Sequence, residues 1–180
     1  MTAGLTDPLD DVAPPLDLAV QAPPRRARVA LIKRLADVVS LPSSRVNGFE
    51  RAITADLLVE MLRDAGVSEK RRVSQRVAML TDIPNELVRI LIQDTIEVAE
   101  PLLAEAHISD SELIACAGVT TPEHRVAIAR RREVAELVVD ALTQFAERPV
   151  LEVLLRNTGA RFTPAALEHV MAESLSLIHI

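Results

Sequence analysis

The chain has 180 residues, 49% of them apolar, and its 26 acidic and 20 basic residues give a net charge of −6 at pH 7. A single domain of this size buries roughly 70% of its unfolded surface, so it can build a core without disulfides or metals. The chain has no uninterrupted apolar stretch long enough to span a membrane, and its first residues lack the features of a secretory signal. We therefore expect no membrane span and a cytoplasmic protein.

The first 24 residues differ in composition from the rest of the chain. They hold five of the eleven prolines and no Lys or Arg, and their acidic residues are Asp7, Asp10, Asp11 and Asp17. So many prolines prevent a continuous helix, and the few apolar residues cannot offset the entropy of ordering the segment. We predict a disordered acidic, Pro-rich tail over residues 1–24. A short linear motif built on its apolar residues is the alternative.

The residues after the tail adopt the period of helices. Apolar residues recur at i, i+4, i+7 and i+8 from Leu31, and Pro42 prevents this first helix from continuing. A second apolar face extends from Ile53 to Leu62. Gly66 stands where a left-handed C-terminal cap is expected, so we predict that the second helix ends there.

Two further helices follow in the pattern. Ser68 is a predicted N-cap for a third helix, whose inner face would use Val73, Val77 and Leu80. Pro84 stands at an early turn of the next helix, where its missing N–H costs nothing. No segment shows sustained period-two alternation, so the sequence predicts an all-α fold.

An internal repeat occupies the second half of the chain. Glu-Leu-Val or Glu-Leu-Ile occurs three times, starting at Glu86, Glu112 and Glu136, with spacings of 26 and 24 residues. Each tripeptide opens a short apolar helix, which a break rich in turn-forming residues separates from a second helix. The second helices are predicted at Ile96 to Glu105, Pro122 to Arg131 and Pro149 to Arg156.

A two-helix unit of this length cannot bury both of its faces alone, so it has to stack on its neighbours. We predict a superhelical solenoid of about ten helices, arranged as short antiparallel pairs over residues 25–174. The period is shorter than the roughly 40–47 residues of HEAT and armadillo units, so the pairs would be compact and HEAT-like. A globular orthogonal bundle is the alternative, because three repeats are few.

Four segments in combination resemble a large family of uncharacterised HEAT-like proteins found mainly in alphaproteobacteria. They are IEVAEPLL at 96–103, ISDSELI at 108–114, HRVAIARR at 124–131 and NTGARF at 157–162. The resemblance covers about residues 45–172 and implies a cytoplasmic α-helical repeat protein. It implies no established activity, so no catalytic residue is carried over. Family members are generally longer, which implies that this chain is truncated within a helix that begins at Pro164.

The last six residues, LSLIHI at 175–180, resemble the translation of a transposon-end adaptor used in sequencing-library preparation. We expect them to be non-native, because a solenoid normally finishes with a polar capping repeat and this chain finishes with apolar residues. The repeat domain would then be incomplete at its C-terminal end. An ordinary apolar helix or strand end is the other interpretation.

The sequence contains no pattern typical of catalysis or metal binding. Its four histidines are separated by 17, 45 and 10 residues, which is not metal-site spacing, and its five glycines are isolated. We expect a solvated or capping role for His124, early in a helix. Cys116, in an apolar string, is expected to be a small buried hydrophobe. We predict a protein that is not an enzyme and has no metal and no cofactor.

Two clusters of basic residues form the predicted partner-binding site. The helix dipole does not favour cations early in a helix, so the cluster at the start of the third helix calls for another explanation. Charges that folding does not need can give such a surface its specificity. The candidate residues are Arg71, Arg72, Arg76, Arg130, Arg131 and Arg132. We predict a non-enzymatic scaffold that binds a protein partner, in a bacterial regulatory pathway.

Nucleic-acid binding is the rival function. HEAT-like folds include DNA-glycosylase relatives that hold the phosphate backbone on a concave basic face. The acidic net charge and the absence of Trp and Tyr for base stacking argue against it here. We therefore expect a protein partner, and neither nucleic acid nor a membrane.

Overall fold

A computed structural model describes the backbone of residues 24–178 and the side chains as far as Ala172. This part of the chain is all-helical, as predicted, apart from one isolated parallel bridge between Val134 and Ala160. Residues 1–23 of the predicted tail and residues 179–180 of the predicted non-native segment lie outside the described residues. The helices are α1 (Arg25–Val39), α2 (Gly48–Arg63), α3 (Val67–Val77), α4 (Asn85–Ile92), α5 (Ile96–Glu105), α6 (Asp110–Val119), α7 (Pro122–Ala129), α8 (Glu136–Thr143), α9 (Arg148–Arg156) and α10 (Pro164–Ile178).

These ten helices pack in two layers. Each odd-numbered helix contacts the next odd-numbered helix, from α1 to α9, and each even-numbered helix contacts the next even-numbered one, from α2 to α10. Contacts within the pairs α1–α2, α4–α5, α6–α7 and α8–α9 join the layers. One continuous apolar core extends between them from Ile32 to Ala166. None of the helices described is long and apolar enough to cross a membrane.

The second helices of the predicted repeats are confirmed as α5, α7 and α9. The bounds of α5 are those predicted, and α7 and α9 differ from the prediction by two residues or fewer. Pro122 and Pro149 stand in the first turns of α7 and α9, where the helix needs no N–H from them. Turn chemistry therefore located these helices from sequence alone.

The connection from α2 to α3 departs from the prediction. α2 ends at Arg63, and Gly66 has φ −70° and ψ 161°, an extended conformation that makes it the N-cap of α3. The prediction of a left-handed cap at Gly66 is wrong, and so is the prediction of Ser68 as N-cap. The reason is that Gly66 itself opens α3, so Ser68 already lies in the first turn. The predicted inner face is correct at Val73 and Val77, which are buried.

Candidate partner-binding groove

Packing of α1 against α3 brings together two basic helices that are far apart in sequence. The two helices carry nine Lys and Arg residues and only Asp37 and Glu69 as acids, a net charge of +7. The whole chain has a net charge of −6, so charge is strongly segregated in this molecule. The predicted partner-binding residues on this surface, Arg71, Arg72 and Arg76, all lie on α3.

A groove with a volume of about 300 Å³ lies between the two helices. Its floor is apolar, and three of the four floor side chains are buried in the core, whereas its rim is charged. The floor is formed by Val29, Ile32, Ala36 and Val73, and the rim by Lys33, Asp37, Glu69, Arg72 and Arg76. The three cations and two carboxylates give the rim a net charge of +1 above an apolar floor.

The charges on this surface differ in how far they are neutralised. Arg76 pairs with Asp37 across the groove, with 2.8 Å between Nη2 and Oδ1. Within the part of the chain that the structure describes, Lys33, Arg71 and Arg72 make no ion pair. Arg71 and Arg72 are exposed, as the sequence analysis expected for binding residues. Lys33 on the α1 side and Arg72 on the α3 side therefore line the groove without an ion-pair partner, and Arg71 lies outside the groove lining.

The single acid on the α3 rim is held ionised by its neighbours. The Ser68 hydroxyl donates a hydrogen bond of 2.8 Å to Oε2 of Glu69. This bond is the main cause that lowers the pKa of Glu69, and the positive charges of Arg25 and Arg72 act in the same direction. Glu69 therefore offsets part of the groove's positive charge at every pH near neutrality.

The second predicted cluster follows α7 and divides into two kinds of residue. Arg130 and Arg132 are exposed. Arg131 is half-buried, and its guanidinium donates to the carbonyl oxygens of Leu103 at 2.6 Å and Ala106 at 2.9 Å. These carbonyls end α5, so Arg131 caps that helix, and burial lowers its pKa. The structure thus engages Arg131 within the fold, whereas Arg130 and Arg132 remain exposed.

An equivalent cap ends the next helix of the same layer. The side-chain amide of Asn157 donates 2.8 Å hydrogen bonds to the carbonyl oxygens of Ala129 and Arg131, at the end of α7. Asn157 Oδ1 accepts from the N–H of Gly159. A Cβ at Gly159 would lie 1.9 Å from the carbonyl oxygen of Arg132, so only glycine fits this close approach. The Asn157-Thr158-Gly159 segment therefore holds the loop that carries the second basic cluster. Asn157 does so by hydrogen bonds and Gly159 by its close approach to the Arg132 carbonyl.

The most buried ionic contact among the described residues, between Arg125 and Glu147, was not predicted from the sequence. Arg125, 7% exposed, donates both to Glu147, at 2.8 and 2.6 Å, and to the carbonyl oxygens of Ala117 and Thr120 at the end of α6. The guanidinium carbon also lies 4.3 Å from the centroid of the Phe145 ring. The bond to Glu147 is the main cause that raises the pKa of Arg125. This arrangement joins the α6–α7 connection to the α8–α9 connection.

His124 is part of a similar link and is not solvated, which corrects that part of the expectation. It is 3% exposed, and its ring nitrogens lie 2.9 Å from the carbonyl oxygen of Asp94 and from the hydroxyl of Thr121. Because a carbonyl can only accept, Nε2 is the donor to Asp94 and Nδ1 accepts from Thr121 in the neutral ring. The Asp94 carboxylate in turn accepts from Lys70 of α3 at 2.7 Å. Cys116 is fully buried, as expected, and desolvation raises its pKa.

The two predicted clusters belong to separate parts of the odd-numbered layer. Arg71, Arg72 and Arg76 lie on α3, while Arg130 to Arg132 follow α7, and α5 contacts both of these helices. Arg130 lines a cavity of about 280 Å³ beside α5 and α7, and Arg132 lines one of about 430 Å³ that also contains His107. The packing instead brings the α3 cluster together with the basic residues of α1. No group of His, Cys, Asp or Glu suited to a metal ion occurs among the described residues.

The class of protein that this architecture defines is an all-helical protein with a basic groove at its N-terminal end. Residues 98–176, from within α5 to within α10, match the model of a family described as uncharacterised protein conserved in bacteria (DUF2336). No curated protein and no solved structure matches the chain. The segment similar to the bacterial family contains Arg125, Arg131 and Gly159, and the α1–α3 groove precedes it.

Proposed function

We propose that this protein is a non-enzymatic, cytoplasmic helical-repeat scaffold of the HEAT-like kind that binds a protein partner. The packing of each helix against the helix two positions along supports a solenoid, because stacked pairs make such contacts in every repeat. The caps from Arg131 to α5 and from Asn157 to α7 support it too, since each repeat closes the second helix of the one before.

The partner contact that we propose is an acidic segment of the partner bound in the α1–α3 groove. The observation that carries this proposal is the apolar floor of the groove beneath Lys33 and Arg72, which make no ion pair among the described residues. Apolar partner side chains would pack on the half-buried Val29 of the floor, and the cations would select for acidic flanks. Of the six predicted contact residues, those on α3 are retained, Arg130 and Arg132 form a secondary candidate, and Arg131 is engaged within the fold.

A charge-reversal experiment tests the groove. The full chain carrying Lys33→Glu and Arg72→Glu would be compared with the wild type as bait in a lysate of the bacterium that encodes it. We expect the reversed groove to retain at least tenfold less partner, and we expect 0.5 M NaCl to weaken wild-type capture because exposed charges are screened. Both substituted residues are on the rim, so we expect each bait to fold. Circular dichroism of each bait checks this expectation.

The matched control is Arg130→Glu with Arg132→Glu, which reverses two exposed cations outside the groove. Retention of the same partner by this control would support the groove. Loss of the partner with the control, but not with the groove variant, would assign binding to the second cluster instead.

Nucleic-acid binding is the alternative function, and the net charge of +7 on α1 and α3 is the observation that favours it. It predicts duplex affinity that falls steeply with salt and captured material that disappears after nuclease treatment. A protein partner that survives nuclease and depends on the groove would exclude this alternative.

A further inference from the structure

A second surface, on the outer face of α2, is independent of the groove. Phe49, Ile53 and Leu57 follow each other at intervals of four residues and are 75%, 44% and 54% exposed. The opposite face of α2 buries Ala55, Leu58 and Leu62 in the core. α2 is therefore apolar on both sides, which an ordinary surface helix is not.

The neighbouring helix extends this apolar surface. Arg28 of α1 reaches Asp64 of α2 at 2.9 Å, which identifies the flank of α1 that faces α2. Leu31 lies one turn farther along that flank and is 42% exposed. Leu31 is thus a further exposed apolar side chain on the α1 flank that faces α2, and it does not line the groove.

The charges around this surface are complementary between the two helices. Glu50, Asp56 and Glu60 border the α2 stripe, and Asp56 makes no ion pair among the described residues. The outward face of α1 carries Arg34, exposed and likewise without an ion pair in the described part of the chain. Glu60 pairs with Arg63 of the same helix, so Asp56 is the acid beside the stripe that is left to meet a cation such as Arg34. Acidic groups beside the α2 stripe and basic groups on α1 form a surface that can pair with itself.

We propose that this surface binds a second copy of the chain, so that α1 of each copy lies on α2 of the other. This pairing follows from a twofold axis that is parallel to the helices of the hairpin and lies between α1 and α2. Each contact between the two copies therefore occurs twice. Contacts from Arg28 to Asp64 and from Arg51 to the carbonyl of Leu41 fix the level of α1 along α2. At that level Arg34 faces the stretch between Asp56 and Glu60 of the other copy. The α1 and α2 helices of both copies together bury the two α2 stripes. The α1–α3 groove of each copy stays open.

Sedimentation equilibrium of the full chain tests the proposal. The wild type is expected to have twice the monomer mass of 19.6 kDa at micromolar concentration. Ile53→Glu with Leu57→Glu places charges in the buried stripe, and the dimer dissociation constant should rise at least a hundredfold. The control Leu137→Glu alters an exposed Leu of α8, 67% exposed, and should remain dimeric. An unchanged helical spectrum shows that the variants fold.

A charge exchange tests the orientation. Arg34→Glu and Asp56→Arg should each weaken the dimer several-fold at low salt, and the two changes together should restore it. A wild type that stays monomeric at 100 µM overturns the proposal and leaves the face to a different partner. A dimer that is insensitive to the changes at Ile53 and Leu57 overturns it as well, since another surface would then join the copies.

Discussion

Arg125 shows how one residue fixes several elements. Its guanidinium meets two carboxylate oxygens of Glu147 and two carbonyl oxygens that end α6, and only 8% of the side chain is exposed. The folded protein tolerates two charges removed from water only when both partners are present and fully hydrogen-bonded. Loss of either partner would leave a buried charge uncompensated.

We predict that Arg125→Ala lowers the free energy of unfolding by about 3–5 kcal/mol, the usual cost of breaking a buried ion pair. Urea unfolding followed by circular dichroism measures this change. Arg148→Ala is the control, because Arg148 makes an exposed pair with Glu152 on the next helix of the layer and should cost at most about 0.5 kcal/mol. Equal losses in the two variants would show that the Arg125 network contributes little.

Comparison of equivalent positions in the repeats indicates that Arg125 is buried, whereas the composition of the chain does not. The third and fourth residues of the second helices are Val98 and Ala99 in α5 and Val150 and Leu151 in α9, all buried. In α7 the same positions hold His124 and Arg125. Polar residues at buried repeat positions predict an internal network, but their partners come from connections 22 and 30 residues away. Sequence alone therefore could indicate their burial and could not name Asp94 or Glu147.

At the scale of elements, the helix starts marked by proline were predictable, whereas the caps between α2 and α3 and the convergence of charge on α1 and α3 were not. Pro122 and Pro149 located the starts of α7 and α9, since proline acts within one turn. Packing of α1 on α3 depends on the whole fold, so no local signal in the sequence places the two basic helices side by side. The groove emerged only when the two helices were placed side by side.

The Asp94 carboxyl, in the connection before α5, makes the stability of the fold depend on pH. Burial favours the protonated form of Asp94, but the Lys70 ammonium and the N–H of Thr95 outweigh it, so the pKa of Asp94 lies below its usual value. A carboxyl with a lowered folded-state pKa stabilises the fold above its unfolded pKa, and this contribution is lost as pH falls through the folded pKa. The loss should therefore begin near pH 4 and continue below it.

We predict that Asp94→Asn destabilises the protein most at pH 7, and that the difference from wild type narrows as the pH falls below about 4. Urea unfolding at a series of pH values measures this difference. The exposed Glu97→Gln, one residue into α5, is the control and should track the wild type. A destabilisation by Asp94→Asn that is the same at every pH would show that the ionised Asp94 carboxylate does not stabilise the fold.

At the scale of the whole molecule, the proposed solenoid and an orthogonal bundle differ in how far a local defect spreads. A stack in which each helix contacts only near neighbours confines a defect to adjacent repeats, whereas a bundle around one shared core loses stability everywhere. Gly159 offers a local defect near the C-terminal end. Any Cβ there collides with the Arg132 carbonyl, beside the bridge between Val134 and Ala160.

We predict that Gly159→Ala speeds amide hydrogen exchange in α7 to α10 and leaves α1 to α3 at the wild-type rate, as mass spectrometry of peptic fragments would show. Gly118→Ala is the matched control: it lies within α6 with open space around its Cβ, so it should leave exchange unchanged or slow it. Faster exchange spread equally from α1 to α10 in Gly159→Ala would instead mean one cooperative core. The groove on α1 and α3 would then depend on the far end of the chain for its stability, and a solenoid would no longer describe the fold.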